Sequence, residues 1–327
     1  MIISRTPLRM SFVGGGSDFP SFYRKYGGAV VSTSISKYVY ITVNKKFDDH
    51  IRVSYSKTEE VEFVAQIEHK IVREVLKKLE ITGGVEITSI ADIPSRGTGL
   101  GSSSAFTVGL LHALHAYKGQ YISADDLACQ SCIVEIDRCG EPIGKQDQYA
   151  VSYGGLNFIT FDPDDTISVA PIICRPDTVE RLQAELMAFY TGLTRSASDL
   201  LKQQTAVVEQ DRKKQKVLQE MVKLAYTLRD ELHKNHVETL GEILHESWML
   251  KKSITDGISN PVIDQWYERA RRSGATGGKL LGAGGGGFLI FVAPKHRHAD
   301  IIEALPELRP VALKFERSGS RIIFYSE

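Results

Sequence analysis

The densest concentration of chemically useful residues is the run Pro94-Ser95-Arg96-Gly97-Thr98-Gly99-Leu100-Gly101-Ser102-Ser103-Ser104-Ala105. Glycines let the backbone approach a ligand closely, and a helix that starts at the serines presents unpaired N–H groups and the positive end of its dipole. Such a segment cradles phosphate, and a spare serine hydroxyl is a hard oxygen ligand for a cation such as Mg²⁺. The simpler use of the same residue types is a glycine turn with a serine cap. Two further glycine-rich runs accompany it. In Arg5-Thr6-Pro7-Leu8-Arg9-Met10-Ser11-Phe12-Val13-Gly14-Gly15-Gly16-Ser17-Asp18 an apolar strand delivers Arg9 and a glycine turn delivers Asp18. A guanidinium there suits charge on a transferring phosphoryl group, and a carboxylate suits sugar hydroxyls; a surface Arg and an Asp helix cap are the plain alternative. In Lys279-Leu280-Leu281-Gly282-Ala283-Gly284-Gly285-Gly286-Gly287-Phe288 the glycines precede a strand, the composition of a loop that lies against a ligand or of one that only packs.

Two familiar phosphate patterns are not met. Around Gly278-Lys279, Ser273 stands where a P-loop needs its first Gly, and Leu280 follows the Lys where Ser or Thr belongs. Gly14-Gly15-Gly16 lacks the third glycine of a dinucleotide fingerprint, because Phe19 occupies its place.

These runs need elements to position them. Alternation at Tyr38–Val43 and Val85–Thr88 predicts half-buried strands. Val61, Val64, Ile67, Ile71, Val75 and Leu79 recur at helical steps, predicting an amphipathic helix that ends at Gly83-Gly84. A second helix is predicted from the serine cluster to Gly119, with Phe106, Leu110, Ala113, Leu114 and Tyr117 on one face and His112 and His115 flanking it. Leu156–Phe161 and Glu185–Thr191 read as strands, Asp162–Asp165 as a turn, and Asp199 to Asn235, without Gly or Pro, as one long charged helix. A helix over Pro261–Arg272 and strands at Phe288–Val292, Val311–Phe315 and Arg321–Tyr325 complete the pattern. Composition shifts near residues 170–185, which divides the chain into expected domains 1–175 and 176–327.

The 327 residues are 42% hydrophobic and 24% charged, the balance of a globular protein with an ample core. Forty basic against forty acidic side chains give a formal net charge of zero, which argues against a phosphate-tracking nucleic-acid binder. No apolar run approaches membrane-spanning length and the start lacks the layout of a signal peptide, so the expected setting is the cytoplasm, with no membrane partner. Cys129, Cys132, Cys139 and Cys174 have no His at ligand spacing and read as buried free thiols. Lys295-His296-Arg297-His298 reads as a solvated turn.

The three glycine motifs, in this order over nearly the whole chain, resemble the GHMP kinase superfamily of galactokinases, homoserine kinases and mevalonate kinases; the run Gly99-Leu100-Gly101-Ser102-Ser103, with Pro94 ahead of it, is highly specific to it. The resemblance implies an α+β chain of two domains, an N-terminal ATP-binding domain like ribosomal protein S5 domain 2 and a ferredoxin-like C-terminal domain. It implies an ATP- and Mg²⁺-dependent small-molecule kinase. Carried over by position, Pro94, Gly97, Gly99, Leu100, Gly101, Ser102, Ser103 and Ser104 bind nucleotide, and Ser103 is also a metal ligand. Asp147, in Gly144-Lys145-Gln146-Asp147-Gln148, falls on the catalytic aspartate, and Glu135, twelve residues earlier, is similar to the metal-binding glutamate. Arg9 is the expected partner of the transferring group.

Gly14-Gly15-Gly16-Ser17-Asp18 lacks the Glu and His of the galactokinase motif and resembles the heptose- and fucose-kinase branch. Ile143–Gln148 and Tyr190-Thr191-Gly192-Leu193-Thr194-Arg195-Ser196-Ala197-Ser198 resemble the bacterial kinases of D-glycero-α-D-manno-heptose 7-phosphate. That implies transfer to the anomeric O1, with Gly15, Gly16, Ser17, Asp18, Gly284 and Gly285 contacting the sugar. A phosphorylated acceptor needs a second anion site, for which Lys145 and Arg195 are candidates; both are equally at home in solvent. Kinases of another sugar such as L-fucose, and a catalytically silent sugar sensor on the same fold, remain alternatives. The long charged helix suits either solvent or a homodimer.

Overall fold

The computed structural model describes residues 1–93, 97–193 and 197–326. The N-terminal half builds β1 (Ile2–Val13), α1 (Pro20–Tyr26), β2 (Gly28–Lys45), β3 (Ile51–Ser54), β4 (Thr58–Val61), α2 (Lys70–Lys78), β5 (Val85–Ala91), α3 (Ser102–Tyr117), α4 (Ala124–Cys132), α5 (Gln146–Tyr153), β6 (Leu156–Phe161) and β7 (Ile167–Pro171). The remainder builds α6 (Pro176–Glu185), β8 (Leu186–Tyr190), α7 (Ala197–Gln210), α8 (Arg212–His233), α9 (Leu240–Lys252), α10 (Pro261–Arg272), β9 (Gly277–Leu280), β10 (Phe288–Val292), α11 (His298–Ala304), β11 (Arg309–Pro310) and β12 (Arg321–Tyr325).

Two sheets result. The larger runs β12-β1-β2-β5-β3-β4, and the long β2 also pairs β6 through its first six residues, with β7 outside β6. The smaller is antiparallel, β11-β8-β10-β9. Apolar β10, buried at all five positions, is the centre of the second sheet, against which Trp248, Ile263 and Tyr267 of α9 and α10 pack. α3 lies against β1 and β2 with Val108, Leu110, Leu111 and Leu114 buried, and α8 and α9 also reach β1, so the two sheets share one continuous packed interior. The second sheet begins close to where composition shifts. The last strand crosses back, however: β12 pairs antiparallel with β1, Ile2 opposite Tyr325, and Phe315 bridges Ile35. Among the described residues no helix is long and apolar enough to cross a membrane.

Several sequence expectations need correction. The helix expected from Val61 is preceded by strand β4 and a short 3₁₀ turn at Val64–Gln66. Glu59 holds the chain there by accepting from the amides of Glu68 and His69, so α2 starts only at Lys70. It ends at Leu79, where Glu80 takes a left-handed φ of 56° ahead of the glycines. The long charged helix is two, because Asp211 leaves helical geometry (φ −113°, ψ 109°) and its carboxylate caps Lys213 N at 2.7 Å. Val311–Phe315 is not a strand; the chain there follows the second sheet's edge through Val311 N to Ala188 O. All four cysteines are free, but Cys129 is exposed, because it falls on the outer face of α4.

His112 on α3 ties the returning C-terminal segment down, its Nδ1 2.9 Å from Ser320 Oγ, which also lies 2.8 Å from Thr6 Oγ1 of β1. Burial, then the neighbouring His115, pushes the His112 imidazole down to about 4 from 6.5. Between these values the unfolded chain takes up a proton that the folded chain refuses, so stability declines as pH falls through that window, by about 3 kcal/mol in all. Denaturant unfolding at pH 7 and pH 4 should show His112→Gln losing less stability than the parent; equal losses in both would reject this linkage.

Candidate active site

The larger sheet delivers two of the three glycine motifs to one place and the smaller sheet delivers the third. Between them lies a cavity of about 220 Å³ lined by Arg9, Gly15, Gly16, Asp18, Gly97, Thr98, Gly99, Gly101, Ser102, Ser103, Ser104, Asp147, Gly282 and Gly284, among others. α3 opens directly on to it. The first amides of a helix have no intrahelical acceptor, and here they sit among wall residues Ser102, Ser103 and Ser104, the arrangement that binds anions.

Arg9 and Asp147 form the centre. Arg9 Nε and Nη2 donate to Asp147 Oδ1 and Oδ2 at 2.7 and 2.8 Å, a bidentate pair, while Nη1 donates to Gly99 O at 2.6 Å. β1 places Arg9 just beyond a register shift, and its backbone N donates to Leu100 O at 3.0 Å, which fastens strand to glycine loop. Asp147 stands in the first turn of α5, where the helix dipole favours a carboxylate. Its side chain is 23% exposed and therefore open to a substrate.

Asp18 is buried beside this pair. It accepts from Gly16 N at 2.9 Å, Gln146 Nε2 at 3.1 Å and Gln146 N at 3.2 Å. Burial still pushes its carboxyl above the ordinary value, with the Asp147 charge acting in the same direction. A Cβ on Gly144 would meet Asp18 Oδ2 at 1.9 Å, so only glycine there lets the Gly144–Gln148 turn close over Asp18.

Glu135 sits on a π-helical turn, Ile133–Arg138, that continues α4, a wide turn of the kind often found at functional positions. It is fully enclosed behind the serines. Its Oε1 accepts from Ser103 Oγ at 2.8 Å, and its Oε2 accepts from Ser104 Oγ at 2.8 Å and Gln148 Nε2 at 2.6 Å. Burial raises its carboxyl above the usual range despite those three donors. The pair fits Mg²⁺: both atoms are hard oxygens, and ligands at 2.0–2.1 Å on adjacent octahedral vertices stand about 2.9 Å apart.

Not every expected residue faces the cavity. Ser17 spends its hydroxyl on Gly14 O and Ala29 O, Gly285 N donates to Ile258 O, and Leu100 is in the core. Lys145 is not on the wall: its Nζ lies 3.9 Å from Asp165 Oδ1 and 5.4 Å from the centre of the Tyr23 ring. Pro94 and Arg195 lie outside the described residues.

Other wall residues had gone unassigned: Ser11, Glu141, Gln146, Ser198, Gln204, Lys251 and Lys279. Lys251 had a legible signal, since it continues the buried stripe Leu240, Leu244, Trp248 of α9, where a lysine is out of place. Away from the cavity, exposed Asp48, His50 and Glu60 approach closely enough to share a cation, but Lys46 Nζ already lies 3.4 Å from Asp48 Oδ1 and 2.5 Å from Glu60 Oε1.

Comparison with known proteins shows the family. Residues 66–155 match the GHMP kinases N terminal domain and residues 228–309 the GHMP kinases C terminal domain. The chain is 30% identical to the D-glycero-alpha-D-manno-heptose 7-phosphate kinase of Campylobacter jejuni over 93% of both proteins. It is 27% identical to the bifunctional fucokinase/GDP-fucose pyrophosphorylase of Arabidopsis thaliana, covering 88% of this chain and 29% of that protein. The fold superposes on a D-glycero-D-manno-heptose 1-phosphate kinase from Bacteroides thetaiotaomicron with a TM-score of 0.81 at 23% identity, over 100% of both chains. It superposes on Lactococcus lactis galactokinase with a TM-score of 0.80 at 16% identity, over 98% and 94% of the two chains. A helix start open to the cavity, a hydrogen-bonded Ser103–Glu135 pair and a bidentate Arg9–Asp147 pair thus meet in a chain that belongs to the GHMP kinases, a family of phosphotransferases.

Proposed function

We propose that the protein transfers the γ-phosphoryl group of ATP to the anomeric O1 of D-glycero-α-D-manno-heptose 7-phosphate, giving the 1,7-bisphosphate and ADP. The observation that carries the reaction type is the bidentate Arg9–Asp147 pair at the mouth of the α3 N-terminus. Asp147 orients the O1 hydroxyl and takes its proton as the O1–phosphorus bond forms and the bond from phosphorus to the β,γ-bridging oxygen breaks. Arg9 offsets the charge that spreads over the phosphoryl oxygens. Phosphoryl transfer is mainly positioning and charge neutralisation, so an aspartate in this setting suffices. Ser103 and Glu135 are the residues that would hold Mg²⁺, which supplies charge neutralisation on the ATP phosphates.

Three residues lining the cavity support an acceptor rich in hydroxyls. Ser11 Oγ, Gln146 Oε1 and Gln204 Oε1 have no hydrogen-bond partner among the described residues. Buried polar atoms are nearly always satisfied, so three of them around one cavity, next to Asp18, match a polyol whose O–H groups complete them. The similarity to the Campylobacter heptose 7-phosphate kinase over 93% of the chain favours that sugar phosphate among polyols.

Coupled ADP release with Mg-ATP is the test, across heptose 7-phosphate, free heptose, fucose, galactose, mannose, mevalonate and homoserine. Turnover led by heptose 7-phosphate, with product phosphorylated at O1, is the expected result. Turnover confined to an unphosphorylated sugar would reassign the acceptor. Silence on every acceptor in a protein that binds ATP would favour the sensor.

A further inference from the structure

α9 carries Lys251 inward from its last turn, and only 6% of the residue is exposed, yet it lies on the cavity wall. Its Nζ donates to Gly282 O at 2.7 Å, the one hydrogen bond it makes among the described residues, and there it forms no ion pair. An ammonium has three donors, so two are unspent. The charged groups around it are already engaged. Asp147 is committed to Arg9, and Asp18 to Gly16 and Gln146. Lys279 of β9 adds a second buried cation, its Nζ donating to Ser11 O and Phe12 O at 3.1 and 2.9 Å.

Burying an ammonium without an anion is costly, and removing its counter-charge is what makes such a site expensive. The Lys251 ammonium is pulled down to about 8, chiefly by burial, and so still carries its charge in most molecules at neutral pH. Lys279 is likewise pushed well below its ordinary value, by burial and then by Lys251 and Arg9. Gly282, which Lys251 holds, packs against Gly99 of the phosphate cradle, so the free donors stand beside the place where phosphate is expected.

We propose that Lys251 binds a phosphate oxygen inside the cavity, either on the acceptor's own phosphate or on the γ-phosphoryl group in transit. The assignment rests on the kinase reading above and supplies the second anion site for which Lys145, facing Asp165, is poorly placed.

Lys251→Met keeps the apolar stem and removes the charge, and Lys251→Arg restores a cation. A lost charge-assisted hydrogen bond corresponds to roughly a 10- to 100-fold change. If the acceptor's phosphate is the ligand, Lys251→Met raises KM for heptose 7-phosphate by that factor and leaves KM for free heptose and for ATP unchanged. If the γ-phosphoryl group is the ligand, kcat falls by that factor on phosphorylated and free acceptors alike. Partial recovery in Lys251→Arg supports either source. Calorimetry with inorganic phosphate reads the same contact without turnover, and weaker binding to Lys251→Met than to the parent is expected. Unchanged kinetics together with unchanged phosphate affinity would overturn the proposal. Should the Met variant not fold, Lys251→Gln is read in the same way. A parent enzyme that uses only a free sugar overturns the acceptor reading instead, and the kcat and calorimetric arms then decide Lys251.

Discussion

Asp147→Asn should lower kcat by about 10²- to 10⁴-fold, the usual worth of a positioned proton acceptor, with ATP binding retained. The substitution keeps the volume and the helix position. It removes the group that takes the O1 proton, and it presents an amide NH₂ where Arg9 Nε or Nη2 now donates to a carboxylate oxygen, so the bidentate pair becomes a single hydrogen bond. In the proposed site the nucleotide is held by α3 and its serines, which Asp147 does not contact. Steady-state ADP release gives kcat, and calorimetry gives ATP affinity. Near-normal turnover would remove Asp147 from the proton-accepting role, and loss of ATP binding would show that its work is structural.

Gly99→Ala should be nearly as damaging, by a different route. Gly99 has φ +74°, and a Cβ there would stand 2.3 Å from Leu281 O and 3.0 Å from Gly282 N. Those atoms are backbone and have no side chain to swing away. The left-handed conformation alone costs about 1–2 kcal/mol for a residue with a Cβ, and the clash adds to it. The Gly99 carbonyl also holds Arg9 Nη1, so any shift of the loop moves the catalytic pair. A displacement of about 1 Å is enough for a loss in kcat/KM on the order of 100-fold. Gly119→Ala is the control: its φ is +68° with nothing within 4 Å of a Cβ, so it should lose about 1 kcal/mol and keep its kcat. Thermal midpoints and kcat/KM for both variants decide the matter. A Gly99→Ala enzyme that behaves like Gly119→Ala would show that the two glycine loops do not need their present contact.

What sequence reveals here depends on how local the cause is. The glycine loop and the start of α3 were legible because their requirements are local: glycines at the turn, serines at the helix start, and an apolar strand bringing Arg9. α10 and β10 were legible for the same reason, one from Pro261 at its start, the other from five consecutive apolar residues. The break at Asp211 was not, because an aspartate between two charged helical stretches fits a helix as well as a cap. Lys145 shows the limit more sharply. Two residues from Asp147, it reads as a site residue, but at the start of α5 the side chains diverge, Asp147 toward Arg9 and Lys145 toward Asp165. Lys251 is far from every motif in sequence and reaches the site only because α9 packs beneath the third glycine loop. Neighbourhood in space, not along the chain, decided both.

The pairing of Ile2 with Tyr325 and of Arg5 with Arg321 sets a schedule for the nascent chain. During synthesis β1, β2 and β5 emerge early and find one another, whereas β12, which covers the outer edge of β1, emerges only after all the other strands described here. Through that interval the Ile2–Arg5 stretch presents unpaired N–H and C=O groups, a template that a strand from any neighbouring chain can join. Arg5 is the one charge in that stretch, and a charged side chain on an open edge works against such a visitor. Removing β12 would leave every candidate catalytic side chain in place along the chain and still open that edge, far from the cavity.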